Sequence, residues 1–209
     1  LHNARTEPPV ANLNVNVRQK TITGYNIIAH LPDVKHPNVL LGAHYDSVPK
    51  SPGANDNASG TAVILELARR LANEPLAHQA WFVAFDAEED GLQGSKAFVK
   101  TAEPKFLSSL QAMLNFDMVG VNDQLSVGGT ESLIALAQKT NPKLSKIRDT
   151  GASDHEPFAR AGVPVLFFYR GEDPNYHSPT DTVVDPKLLQ ATAEAAQSLM
   201  QYQLLTTNH

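Results

Sequence analysis

Apolar runs that end abruptly in histidine or acid constrain this chain more than any other feature. In "NVLLGAHYDS", "AWFVAFDAEED" and "LQAMLNFDMVG", strand-length stretches run into His44, into Glu88 and Glu89, and into Asp117. A carboxylate at the end of a buried strand needs a partner, because leaving it unpaired away from water is costly. Continuous apolar strands suit a sheet covered on both faces, and such sheets bind ligands outside the carboxyl ends of their parallel strands. The expectation is an α/β domain with a polar site along one sheet edge.

The segments between these runs agree. "SGTAVILELARRLAN" sets Val63, Leu67 and Leu71 at i, i+4 and i+8, with Ile64 and Ala68 flanking, as an amphipathic helix does. "GSKAFVKTA" reads as a short helix, and "TESLIALAQKT" as another starting near Thr130 or Ser132. "VPVLFFYR" is a late strand after "EPFARAG", and "DPKLLQATAEAAQSLMQYQLL" a long closing helix behind an Asp-Pro start. Near the N-terminus, "NLNVNVRQK" alternates as a half-buried strand, "TITG" reads as a turn and "YNIIAHL" as the next strand. A β-meander is therefore expected to lead into a mixed, mostly parallel sheet with helices on both faces. With 209 residues and 42% hydrophobic content, one core and a single domain over residues 1–209 are expected, residues 1–12 being a trimmed or flexible lead-in.

Composition removes several functional classes. The net charge of −5 comes without any Lys/Arg-rich run, so neither nucleic acid nor an anionic membrane is an expected partner. There are no cysteines, which excludes disulfides, thiolate metal sites and cysteine nucleophiles together. The longest apolar run, "VPVLFF", is strand-sized. The chain begins at Leu1 rather than Met, which fits removal of a leader, so a secreted or periplasmic location is the expectation. A monomer is expected.

Five residues have the character of metal ligands: His44, Asp56, Glu89, Asp117 and His177. Two imidazoles and three carboxylates suit a pair of hard-to-borderline divalent ions. Asp46, two residues beyond His44 on an extended segment, leaves the same face and can orient the imidazole. Adjacent Glu88 and Glu89 repel each other unless a cation compensates, and the natural division is one ligand and one proton carrier. Each residue alone also has an ordinary reading: a helix cap for Asp56, a solvated turn for the glutamates, a buried salt bridge for Asp117, a solvated loop for His177. Their recurrence in order, beside predicted strands, points to one site.

The segments "GAHYDS", "PGANDNASG", "FDAEEDGLQGS", "NFDMVG", "SDHEPF" and "YHSPTDT" resemble those of the M28 metallopeptidases, in the family's order from about Asn38 to Thr182. The resemblance implies a three-layer α/β/α sandwich and two zinc ions per chain, one held by His44 and Asp117, the other by Glu89 and His177, with Asp56 bridging. It implies Asp46 as the acid behind His44, Glu88 as the general base and Tyr176 as a donor to the oxyanion. Asp154 and His155 fall in a family stretch near the pocket and are expected to touch substrate. The implied activity is aminopeptidase action on peptides with a free N-terminus. The family also contains carboxypeptidases, for which Arg170 would be the cationic clamp, and related glutaminyl cyclases that use one zinc.

Overall fold

In the computed structural model, which describes Leu13, Val15 and residues 21–206, seven strands form one sheet in the order β1-β3-β2-β4-β7-β5-β6. The strands are β1 Ile27–Ala29, β2 Val39–His44, β3 Ala80–Phe85, β4 Ala112–Phe116, β5 Ser126–Gly129, β6 Ser145–Lys146 and β7 Val165–Tyr169. The helices are α1 Ser59–Leu71, α2 Gln93–Thr101, α3 Pro104–Ser109, α4 Glu131–Thr140, α5 His155–Arg160 and α6 Pro186–Thr206. The central strands β3, β2, β4 and β7 run parallel to one another, while β1 and β5 join antiparallel. This is the expected mixed α/β sheet.

Strand periodicity divides the core into two layers. In β2, Val39, Leu41 and Ala43 face one side with Val63, Ile64, Leu67 and Leu71 of α1 and with Ala193, Ala196 and Leu199 of α6. Leu40 faces the other side, with Phe98 of α2, Phe106 of α3 and Phe158 of α5. Gly42 also points to this second side, where a Cβ would lie 2.6 Å from the Phe85 ring and 2.8 Å from Met113 Cε, so the aromatic packing needs glycine there. Among the described residues no helix is long and apolar enough to cross a membrane.

Several expectations need correction. β1 and β2 are not neighbours in a meander, because β1 pairs antiparallel with β3, and β2 lies on the far side of β3. The strand expected in "NLNVNVRQK" falls mostly outside the described residues. β5, with the sequence SVGG, escaped the sequence reading because two glycines erase its apolar signal. "EPFARAG", given no element from the sequence, contains most of helix α5.

Candidate metal centre

The parallel register of β2 and β4 pairs Gly42 with Asn115, so two residues further on His44 and Asp117 stand side by side and point to the same face. β2 is also where the chain order reverses, with β3 on one flank and β4 on the other, which is where open sheets leave a crevice. His44 Nε2 lies 3.3 Å from Asp117 Oδ1 and 3.3 Å from Asp56 Oδ1. The other oxygen of Asp56 lies 3.1 Å from His177 Nε2, which is also 3.1 Å from Glu89 Oε2. All five expected ligands are thus brought together, with Asp56 at the centre.

Local structure holds each one in place. His44 Nδ1 lies 3.1 Å from the Asp46 carbonyl and 3.4 Å from Asp46 Oδ1, so a proton on Nδ1 leaves the Nε2 lone pair facing the acids. The Asp46 carboxylate also accepts the backbone N–H groups of Glu88 (3.1 Å) and Glu89 (3.2 Å), tying the end of β2 to the acidic loop after β3. Asp117 Oδ2 accepts from Ser153, whose hydroxyl accepts from the Asn115 amide. Asp56 sits in the loop Ala54–Ala58, which docks on Asp181: its backbone carbonyl takes Ala54 N–H, Oδ1 takes Asn55 N–H at 2.8 Å, and Oδ2 takes Asp56 N–H at 3.0 Å. Asn57 Oδ1 accepts from Gly60 and Met118, and its amide donates to the Phe116 carbonyl, stitching the start of α1 to the end of β4. The roles of Asp181, Ser153 and Asn57 were not read from the sequence; the polar run "NDN" between two glycines, and the acid four residues after His177, were the available signals.

Ala87, Met118 and His177, each in or next to the cluster, take positive φ (53°, 51° and 54°), a region that disfavours side chains. Such strain persists where surrounding structure over-determines it, and it concentrates at functional sites.

The donor set fits divalent cations. A tetrahedral zinc with ordinary Zn–N and Zn–O bonds has neighbouring ligand atoms about 3.3–3.5 Å apart, close to the four N···O separations here. One imidazole N–H points in a single direction, so it cannot serve two carboxylates equally, whereas a cation between them can. Glu89 Oε1 is buried without a hydrogen-bond partner. Burial opposes charge on His44, yet Asp117, Asp46 and Asp56 together outweigh it and raise the ring well above its ordinary pKa, as expected where acids crowd one imidazole. Burial pushes Glu88 up to about 9, with Asp117, Asp154 and Glu89 adding to the shift. Glu89 is raised as well, by burial and then by Asp56. The ligand atoms of His44, Asp56 and Glu89 lie within 4.8 Å of one another, as do those of His44, Glu88 and Asp117, so Glu88 stands within coordinating reach too.

A cavity of about 360 Å³ opens over the cluster, lined by Asp56, Glu88, Glu89 and Asp117 at its floor and by Met118, Ile147, Phe167 and Tyr169 on its walls. Tyr176, at its rim, stacks on the His177 ring at 3.8 Å. Burial and the nearby acids, Asp56 first, raise its phenol, which therefore stays protonated. The three residues expected to touch substrate do not line this cavity. Arg170 is buried and donates to the carbonyls of Asn122, Asp123 and Leu188 and to the Thr192 hydroxyl, pinning the end of β7 to α6. Asp154 is wholly buried, and its burial pushes the carboxyl up to about 7 against the opposing influence of His44. His155 is wholly buried against Asp149. Met118 lines the cavity, while Phe158 and Phe168 belong to the core.

Residues 26–200 match peptidase family M28. Aminopeptidase YwaD of Bacillus subtilis (strain 168) is 39% identical, with 72% of this chain and 37% of that protein covered. The structure of BSAP, a zinc aminopeptidase from Bacillus subtilis, superposes with a TM-score of 0.75 at 33% identity, covering 86% of this chain and 49% of that one. Porphyromonas gingivalis glutaminyl cyclase superposes with a TM-score of 0.72 over 85% of this chain and 76% of its own, but at 22% identity it shares the fold alone. This chain spans half or less of the length of the two aminopeptidases. The family match runs through all seven strands and takes in every residue of the acid and histidine cluster, and on that ground the chain belongs to peptidase family M28.

Proposed function

We propose that this chain is the catalytic unit of a zinc-dependent aminopeptidase that holds two zinc ions. The observation that supports this most is the division of Asp56, whose two oxygens go to two different histidines, each with a second carboxylate at a similar distance. In this reading His44 and Asp117 hold one ion, Glu89 and His177 the other, and Asp56 bridges. Imidazole and carboxylate donors without thiolate suit zinc, the metal named for BSAP. Bound there, the ion pair supplies Lewis acidity that activates water and polarises the scissile carbonyl.

The chain's own residues supply the remaining steps. Glu88 takes a proton from the attacking water onto a carboxylate oxygen and delivers it to the leaving amine nitrogen. Nearby positive charge favours ionised Glu88, drawing it down from about 9 towards the range a general base needs. Asp46 keeps the His44 tautomer that directs Nε2 at the cluster. The protonated Tyr176 phenol is available to donate to the oxyanion.

Cavity charge favours an amine over a carboxylate at the substrate terminus. With Asp56, Glu89 and Asp117 given to the ions and Asp149 paired with His155, the acids left on the cavity lining are Glu88 and Glu172, against Arg148 as the one lysine or arginine among the described lining residues. With Arg170 committed to backbone carbonyls, the clamp a carboxypeptidase would need is not supplied from that position. The test compares three peptides: a free-amine Leu peptide, its N-acetylated twin and its C-terminally amidated twin. The first and third are expected to be cut and the acetylated one to be inert; the reverse pattern rules out the aminopeptidase reading.

A further inference from the structure

Part of the cavity wall is an irregular segment. Ile147, Arg148, Asp149, Thr150 and Ala152 all line the cavity, between the end of β6 and the start of α5. The segment is anchored at its ends, where Ile147 N–H donates to the Val127 carbonyl and the Ser153 hydroxyl to Asp117. Between those anchors its hydrogen bonds converge on one side chain. Asp149 Oδ1 accepts Gly151 N–H at 2.8 Å, and both its oxygens lie 3.0 Å from His155 Nε2. Gly128 of β5 admits this packing, since a Cβ there would stand 3.2 Å from Asp149 Cβ.

His155 touches the wall twice. Its ring is wholly buried and stacks on Phe167, with centroids 4.7 Å apart and planes 16° from parallel. Phe167 in turn stacks on Tyr169 at 5.4 Å, and both rings line the cavity. One imidazole therefore fixes the irregular wall through Asp149 and the aromatic wall through Phe167.

We propose that His155, clamped to Asp149, is a positioning residue that sets the shape of the substrate side-chain cavity without touching substrate or metal. The proposal rests on the peptidase reading for its kinetic consequence, though not for the clamp itself. His155→Phe keeps the aromatic stack and removes the pairing, Asp149→Ala removes the pairing from the other side, and Asp149→Asn retains an acceptor oxygen for His155.

In the first two variants, KM for a Leu-first peptide should rise about tenfold while kcat stays within about twofold, a loss of binding shared by ground and transition states. Zinc binding, followed by calorimetric titration, should be unchanged. Hydrogen exchange of the 147–152 amides should accelerate about tenfold while α6 amides keep wild-type protection. Asp149→Asn should recover most of the KM, a rescue that a merely structural loss would not give. A fall in kcat at constant KM, a loss of zinc, or unchanged exchange in Asp149→Ala would each overturn the proposal. If His155→Phe does not fold, the two Asp149 variants decide it. If the wild type cuts no peptide, the peptidase reading fails, and the exchange experiment still decides the clamp.

Discussion

Asp181→Asn is the most informative substitution outside the cluster. Asp181 is 2% exposed, and its two oxygens accept the N–H groups of Asn55 and Asp56 at 2.8 and 3.0 Å. Asparagine keeps the shape but offers one acceptor, so its NH2 faces a backbone N–H with which it cannot bond. One charge-assisted bond, worth about 1.5–3 kcal/mol, is lost, and a buried N–H left unpaired costs about 1–3 kcal/mol. These costs overlap, and about 3 kcal/mol is the expected total. Part of it appears as lower stability. The rest appears at the cluster, because the released N–H belongs to Asn55 or to Asp56, adjacent residues of the loop that carries the Asp56 carboxylate. Loss of a partner that orients a metal ligand typically weakens metal binding about 10–100-fold, or about 1.4–2.8 kcal/mol. The assay is competition for zinc against a chromophoric chelator, with thermal unfolding of the metal-free protein measured in parallel. A variant that melts lower yet binds zinc within about twofold of wild type would refute the link between Asp181 and the site.

Other substitutions probe separate parts of the account. Glu88→Gln should retain zinc and lose several orders of magnitude in turnover, roughly 10³-fold or more, because position survives and proton transfer does not; zinc loss would make Glu88 a ligand. Arg170→Met should lower stability by about 2–4 kcal/mol in denaturant titration, since buried carbonyls lose their donor, without changing the preference for a free N-terminus. Gly60→Ala should weaken both stability and zinc binding, because its Cβ would stand 2.5 Å from the Asn57 oxygen that links α1 to the Met118 amide; an unchanged melting temperature would count against that packing.

Much of the cluster was legible because strand chemistry is local. His44 and Asp117 follow apolar runs, and the β2/β4 register, which no single run reveals, places them side by side. Asp46 was legible from its two-residue spacing, since alternation along a strand sets its direction. Arg170 shows the opposite case. Its position after a strand suggested a clamp, but three carbonyls and a hydroxyl brought together by the fold claim the guanidinium. Asp149 was equally invisible: an acid in an unpatterned segment says nothing of the buried histidine six residues on until the chain turns back. The SVGG strand and the β1–β3 pairing failed for related reasons, one lacking side chains to read and the other depending on a long-range partner.

The central claim is that Asp56 joins two cations, and anomalous diffraction at the zinc edge from zinc-loaded crystals tests it most directly. Two peaks about 3.5–4 Å apart are predicted, one bounded by His44, Asp117 and Asp56 and the other by Glu89, His177 and Asp56. A single peak, or a pair in which Asp56 contacts only one ion, would contradict the account.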